Sequence, residues 1–218
     1  MRIVDLSKKL YPGKEQRRCF IWRFTYASGE YMHYIDLESH VGTHVEAPSH
    51  YIPARYGRPA EDVSEIPLER LMGEAVFWNL SGVEKEKVLK PEDVGVEIKE
   101  GDILLVGNSP YRGRERPQFS EELIRWLVDK KIKLIGVDDS VIITPRSREG
   151  LPEKLEDLIE HELFLGNGIP IIEQLTNLDK LRRERFLFIG FPLKISGLDS
   201  SPIRAVAIED AKLAEVSE

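Results

Sequence analysis

Ser39-His40-Val41-Gly42-Thr43-His44-Val45-Glu46-Ala47-Pro48-Ser49-His50 is the stretch on which the reading of this chain turns. It holds three of the five histidines, with Glu46 between the second and the third. Imidazole nitrogen and carboxylate oxygen are the donors that Zn, Mn and Fe take when no thiolate is offered. His40 and His44, four apart, could share one helical face. Gly42-Thr43 and Pro48 argue instead for a loop or one irregular turn. An isolated H-x3-H is commonly a histidine-rich surface loop or a turn. H-x3-H-x-E-x3-H is a much rarer pattern and points to a metal site.

Working outward, Asp5-Leu6-Ser7 with Leu10-Tyr11-Pro12-Gly13 stands upstream of this stretch. Downstream come His161, Leu165-Gly166-Asn167-Gly168-Ile169-Pro170-Ile171-Ile172-Glu173 and Leu175-Thr176-Asn177-Leu178. Pro192-Leu193-Lys194 and Gly197-Leu198-Asp199-Ser200-Ser201-Pro202-Ile203-Arg204-Ala205-Val206-Ala207 follow. Together these blocks resemble the metal-dependent cyclase family, which includes bacterial kynurenine formamidases, isatin hydrolases and some polyketide-type cyclases. Residues 40–50 match that family's H-x-G-T-H-x-D-x-P-x-H signature, and the likeness spans nearly the whole chain. One position departs: the family usually has aspartate where this chain has Glu46, which moves the carboxylate one methylene further from the backbone. The resemblance implies an α/β chain of swivelling β/β/α architecture and a homodimer. It also implies that His161 is a ligand, that one or two metal ions are bound, and that His50 is a proton shuttle. From the residues alone, His50 could equally be a further ligand or orient one.

Composition sets the outer bounds. The 218 residues, read as one domain over 1–218, carry ample material for a core, with 41% hydrophobic and 32% charged residues. No apolar run approaches the roughly 18 residues that span a bilayer, and Met1 to Leu6 shows no apolar leader segment. Cys19 is the only cysteine, so no internal disulfide can form, and a reducing, cytoplasmic setting is expected. It is read as a structural thiol. The net charge of -7, with both signs mixed along the chain, argues against a nucleic-acid backbone as partner and leaves a small-molecule substrate.

Along the chain, residues 2–6 and Cys19–Tyr26 read as strands, the second returning through Ala27–Glu30 toward Ile35-Asp36-Leu37. His33, on that return, reads as a surface or partly buried histidine. Residues 51–59 read as irregular surface, and Glu74–Leu80 and Asp102–Val106 as core strands. Pro91–Val94 reads as a short helical turn and 107–118 as a loop. Ser120 caps an amphipathic helix carrying Leu123, Ile124, Leu127 and Val128, ahead of a strand at Lys133–Val137, which makes a parallel βαβ unit. Asp138-Asp139-Ser140 reads as a turn or cap rather than ligands. A helix is predicted from about Pro152 to Leu165, stopped by Gly166-Asn167-Gly168. Strands follow at Ile169–Ile172, closed by Glu173, and at Arg185–Lys194 and Ile203–Ile208, with a frayed tail from Glu209.

Five metal-ligand candidates result: His40, His44, Glu46, His161 and Glu173. One catalytic zinc needs only three protein ligands, so two ions bridged by a carboxylate are also compatible, with Zn the leading metal and Mn the next. No Gly-x-Ser-x-Gly, Walker or Gly-x-Gly-x-x-Gly pattern offers another chemistry. The expected activity is metal-dependent hydrolysis of a small amide, with an aryl formamide such as N-formylkynurenine leading. The alternatives are opening or closing a cyclic amide or lactone at the same site, and a metal-binding relative without catalysis, which Glu46 keeps open.

Overall fold

In the computed structural model, which describes residues 1–145 and 154–210, the strands fall into one nine-stranded sheet and two two-stranded ones. In chain order the strands are β1 (Arg2–Asp5), β2 (Cys19–Thr25), β3 (Tyr31–Leu37), β4 (His44–Glu46), β5 (Met72–Asn79), β6 (Val88–Leu89) and β7 (Ile103–Gly107). They continue with β8 (Gln118–Phe119), β9 (Leu134–Asp138), β10 (Ile171–Leu175), β11 (Arg185–Ile189), β12 (Ser200–Pro202) and β13 (Val206–Glu209). The sheet order is β1-β13-β11-β5-β7-β9-β10-β4-β12. Its centre, β5-β7-β9-β10, is parallel, and both flanks are antiparallel. Ile103–Gly107 is buried at every position, as a parallel strand covered on both faces must be.

After α1 (Ile52–Tyr56) and the one-turn α2 (Leu68–Leu71), helix α3 (Glu121–Asp129) runs between β7 and β9. Ser120 Oγ caps it by accepting from the Leu123 N–H at 3.0 Å, and its apolar face, Leu123, Ile124 and Leu127, is buried. With α1 and α4 (Ile159–Phe164) it covers one face of the sheet, over a core that includes Ile52, Val106 and Phe164. On the other face a second core gathers Val4 and Leu6 from one end of the sheet with Val45, Ala47 and Ile203 from the other. Residues 203–205 alone link β12, at one edge, to β13, beside the opposite edge. The sheet therefore curls round this second core, which is the α/β, two-β-layers-and-helices arrangement the sequence led one to expect.

Several elements differ from the sequence reading. Residues 51–59 are only partly irregular: Ile52–Tyr56 form α1, ended by Gly57, and Tyr51 is buried, its hydroxyl donating to the Leu155 carbonyl at 3.1 Å. The helix predicted from Pro152 is α4 alone among the described residues, preceded by one 3-10 turn at Leu155–Asp157; Pro152 lies outside them. The strand expected to end at Glu173 runs on to Leu175, with a register shift around Gln174, whose φ is +57°. The last two predicted strands are shorter than read, and β12 went unread. Glu209 is no frayed end: it is buried on β13.

β2 and β3 pair only with each other, as a hairpin with Trp22, Tyr34 and Ile35 at least half exposed. His33 is exposed on it, and Cys19 is buried at its root. The Asp138 turn is as expected, with Oδ1 accepting from the Ser140 N–H and hydroxyl.

Candidate metal centre

The short strand β4, one in from the sheet's edge, organises the site. Alternation along β4 sends His44 and Glu46 to one face while Val45 enters the core on the other. The strand is held antiparallel on both sides: β10 sets Glu173 opposite His44, and β12 sets Ser200 opposite Glu46. Upstream, the turn that returns His40 over this face depends on Gly42. Its φ is +66°, and a Cβ there would lie 2.5 Å from Leu10 Cδ2, so both conformation and space demand glycine. The i, i+4 pair is thus neither a helical face nor a free loop. It is a turn running into a strand.

The resulting cluster is tight. His40 Nδ1 lies 3.2 Å from His44 Nε2 and 3.0 Å from Glu46 Oε1. His161 Nε2, from α4, is 3.2 Å from Glu46 Oε2. His44 Nε2 is 3.7 Å from Glu173 Oε2, and His50 Nε2 is 3.8 Å from Glu46 Oε1. All six residues singled out in the sequence converge, with Glu46 at the centre. Two overlapping groups with metal-compatible spacing share Glu46: His40-Glu46-His50 and His44-Glu46-Glu173.

Outward hydrogen bonds fix the imidazoles. His44 Nδ1–H donates to the Gly42 carbonyl at 2.8 Å, His50 Nδ1–H to Asp199 Oδ2 at 2.8 Å, and His161 Nδ1–H to Glu160 Oε1 at 2.6 Å. In its neutral form each ring then turns an Nε2 lone pair toward Glu46, itself an acceptor. Buried Glu46 Oε2 has no hydrogen-bond partner among the described residues. Acceptors facing acceptors need positive charge between them. Burial alone would raise the Glu46 carboxyl, but His161, His40 and His44 outweigh it and hold it well below the usual range. Burial would lower His161, but the Glu160 and Glu46 carboxylates raise it to about 10. Burial and the charge of Glu46 push Glu173 up, although 34% of its side-chain surface is open. A divalent cation fits this donor set: nitrogen and carboxylate only, lone pairs convergent, and outer partners orienting the rings.

Two participants were not singled out as site residues in the sequence. Asp199 reaches His50 across 149 positions, and Glu160, wholly buried, holds His161 and accepts from the Thr144 hydroxyl at 2.7 Å. The adjacent acid in Glu160-His161 was the available signal for the second. For Asp199 it was its place as the one carboxylate in the Gly197–Ala207 block.

A protein-family model described as "Putative cyclase" matches residues 4–142. The chain belongs to the cyclase family. The match takes in residues 40–50, while His161, Glu173 and Asp199 lie beyond it. Among family relatives, an uncharacterised protein of Methanocaldococcus jannaschii is 29% identical over 95% of this chain and 100% of its own length. Kynurenine formamidase of Salinibacter ruber is 27% identical over 94% and 97% respectively. The solved structure of isatin hydrolase A from Labrenzia aggregata superposes with a TM-score of 0.75 at 26% identity, covering 94% of this chain and 93% of that one. No helix among the described residues is long and apolar enough to cross a membrane.

Proposed function

We propose that this cyclase-family chain is a metal-dependent hydrolase of a small amide, with an aryl formamide of the N-formylkynurenine type as its leading substrate. The observation that carries the reading is the convergence of three outwardly anchored imidazoles on Glu46. His40, His44, Glu46, His161 and Glu173 would hold one or two divalent ions, zinc first and manganese next. A bound divalent ion supplies Lewis acidity, acidifying water and polarising the amide carbonyl.

The chain's own residues do the rest. His50 is the most exposed of the cluster's imidazoles, with 27% of its side chain accessible. Its Nδ1 proton is held by Asp199, so Nε2 is free to take a proton from the attacking water and return it to the departing nitrogen. Burial would raise the Asp199 carboxyl, but His50 outweighs it and holds it below the usual range. Asp199 therefore stays anionic and stabilises the imidazolium while His50 carries the proton. Glu160 fixes the His161 tautomer in the same way.

The partner reading extends to a second copy of the chain. A lone two-stranded hairpin is marginal in water, and the apolar faces of β2 and β3 have the character of a subunit interface. Sedimentation of wild type against Ile35→Glu tests it: a dimer that becomes a monomer supports it, and a monomeric wild type ends it.

For the activity, elemental analysis is paired with N-formylkynurenine turnover before and after chelation. Bound metal, with turnover that chelation removes and metal restores, is the expected result. Metal with no turnover of the formamide would move the search to cyclic amides, the chemistry suggested by the isatin hydrolase likeness. Protein that takes up no divalent ion when supplied would overturn the reading.

A further inference from the structure

A cleft of about 510 Å³ opens beside the cluster, its floor formed by Val41 and Gly42 of the His40–His44 turn and by Gln174, next to Glu173. A smaller hollow shares Arg116, Asp139 and Gln174 with it and reaches Glu173 itself. In a chain of net charge -7, this cleft is lined by Lys8, Lys14, Arg17, Arg112 and Arg116, against Glu15 and Asp139 alone. Glu15 is taken by Lys8 at 3.4 Å, and Arg17 lies 3.9 Å from Glu38.

The two loop arginines are different. Arg112 donates to the main-chain carbonyls of Ser109 and Tyr111, and Arg116 to those of Gly113 and Asp139. Among the described residues neither guanidinium makes an ion pair with a carboxylate; both are oriented by backbone carbonyls, with Asp139 the acid lining the cleft beside Arg116. Clefts lined by one sign of charge concentrate counter-ions, and a guanidinium matches a carboxylate with two parallel hydrogen bonds.

We infer that Arg112 and Arg116 form a carboxylate-binding wall that selects, among amides, those carrying an anionic group at the end remote from the reacting bond. This rests on the hydrolase reading for the position of the reacting bond. The observation behind it, the cleft and its charge, is separate from the metal cluster.

The test uses metal-loaded full-length protein and two probes that differ in one charge: N-formylkynurenine and its methyl ester. Wild type should prefer the free acid in kcat/KM by at least about tenfold at low salt, the scale of one lost charge-assisted pair. That preference should fall to about twofold in the Arg112→Gln, Arg116→Gln double variant and be partly kept in Arg116→Lys. Binding of kynurenine against kynurenine methyl ester, measured by calorimetry, should follow the same order without depending on turnover. Turnover without preference, or a preference that survives the double substitution, overturns the carboxylate wall and leaves the hydrolase standing. Arginine-dependent kynurenine binding without turnover of either formamide sinks the formamidase reading and keeps the wall. Neither binding nor turnover removes both.

Discussion

His50 Nδ1 and Asp199 Oδ2 lie 2.8 Å apart, one at the start of the helical segment after β4 and the other just ahead of β12. Substituting Asp199 by Asn keeps the shape and removes the charge that supports an imidazolium. The expected result is a kcat lower by about tenfold to a hundredfold with bound metal retained. Turnover and elemental analysis on one preparation check it. Loss of metal along with activity would make Asp199 a ligand instead.

Glu46 is the one group shared by both metal-compatible triplets. Glu46→Gln keeps its size but removes the charge on which the imidazoles converge. Bound divalent metal should drop to less than about a tenth of wild type, and the rise in Tm on adding metal should vanish. Melting curves with and without added zinc read this directly.

Glu160 acts at one remove. Its Oε1 receives both the His161 ring proton and the Thr144 hydroxyl. Glu160→Gln should weaken metal affinity by about 10- to 100-fold without abolishing binding. A competition titration against a chelator of known affinity measures it.

Gly42→Ala tests the turn. The residue needs φ +66° and has Leu10 Cδ2 where a Cβ would go. A loss of about 1–3 kcal/mol is expected, read from denaturant unfolding, together with weaker metal binding because His40 is displaced.

Away from the site, Glu209 gives a pH prediction. Burial pushes its carboxyl up, but the Arg182 N–H, the Arg2 guanidinium and the Arg183 N–H outweigh it and hold it below its ordinary value of 4.5. A carboxyl lowered on folding stabilises fully above the unfolded value, and that contribution disappears as pH falls through the folded one. The stability gap between wild type and Glu209→Gln should therefore be wide at neutral pH and close on acidification below about 4.5. Denaturant midpoints across that range check it, and a gap independent of pH would show that Glu209 acts only by packing.

What could be read in advance followed from local rules. The Ser120 cap, the buried runs of β5, β7 and β9, and the Asp138 turn each depend on neighbours within a few residues, and they appear where expected. β4 did not announce itself, because three residues are too few to show a period of two and His44 and Glu46 are poor strand formers by composition. β12 was hidden for the same reason by Ser200, Ser201 and Pro202. β4 is a strand only because β10 offers an edge, and β12 only because β4 then offers the next, which are facts of tertiary pairing. Pro53, Gly57 and Pro59 suggested an irregular stretch after Tyr51, yet Pro53 sits in the first turn of α1 and Gly57, at φ +64°, ends it. The six residues that converge in the cluster were legible by motif and resemblance. Asp199 was not, because only the fold brings His50 to it across 149 positions; Glu160 was not, because standing next to His161 does not by itself show that its carboxylate turns onto the ring.

The placement of β4 between β10 and β12 also bears on the order in which the protein is made. The histidines of residues 40–50 emerge from synthesis early, while His161, Glu173 and Asp199, and both strands that clasp β4, come far later. Throughout that interval the motif is a stretch of imidazoles and one carboxylate without the partners that orient and complete them. The cluster closes only when the last third of the chain docks, so on the proposed hydrolase reading any preference among divalent ions would belong to the finished sheet and not to the motif that marks it.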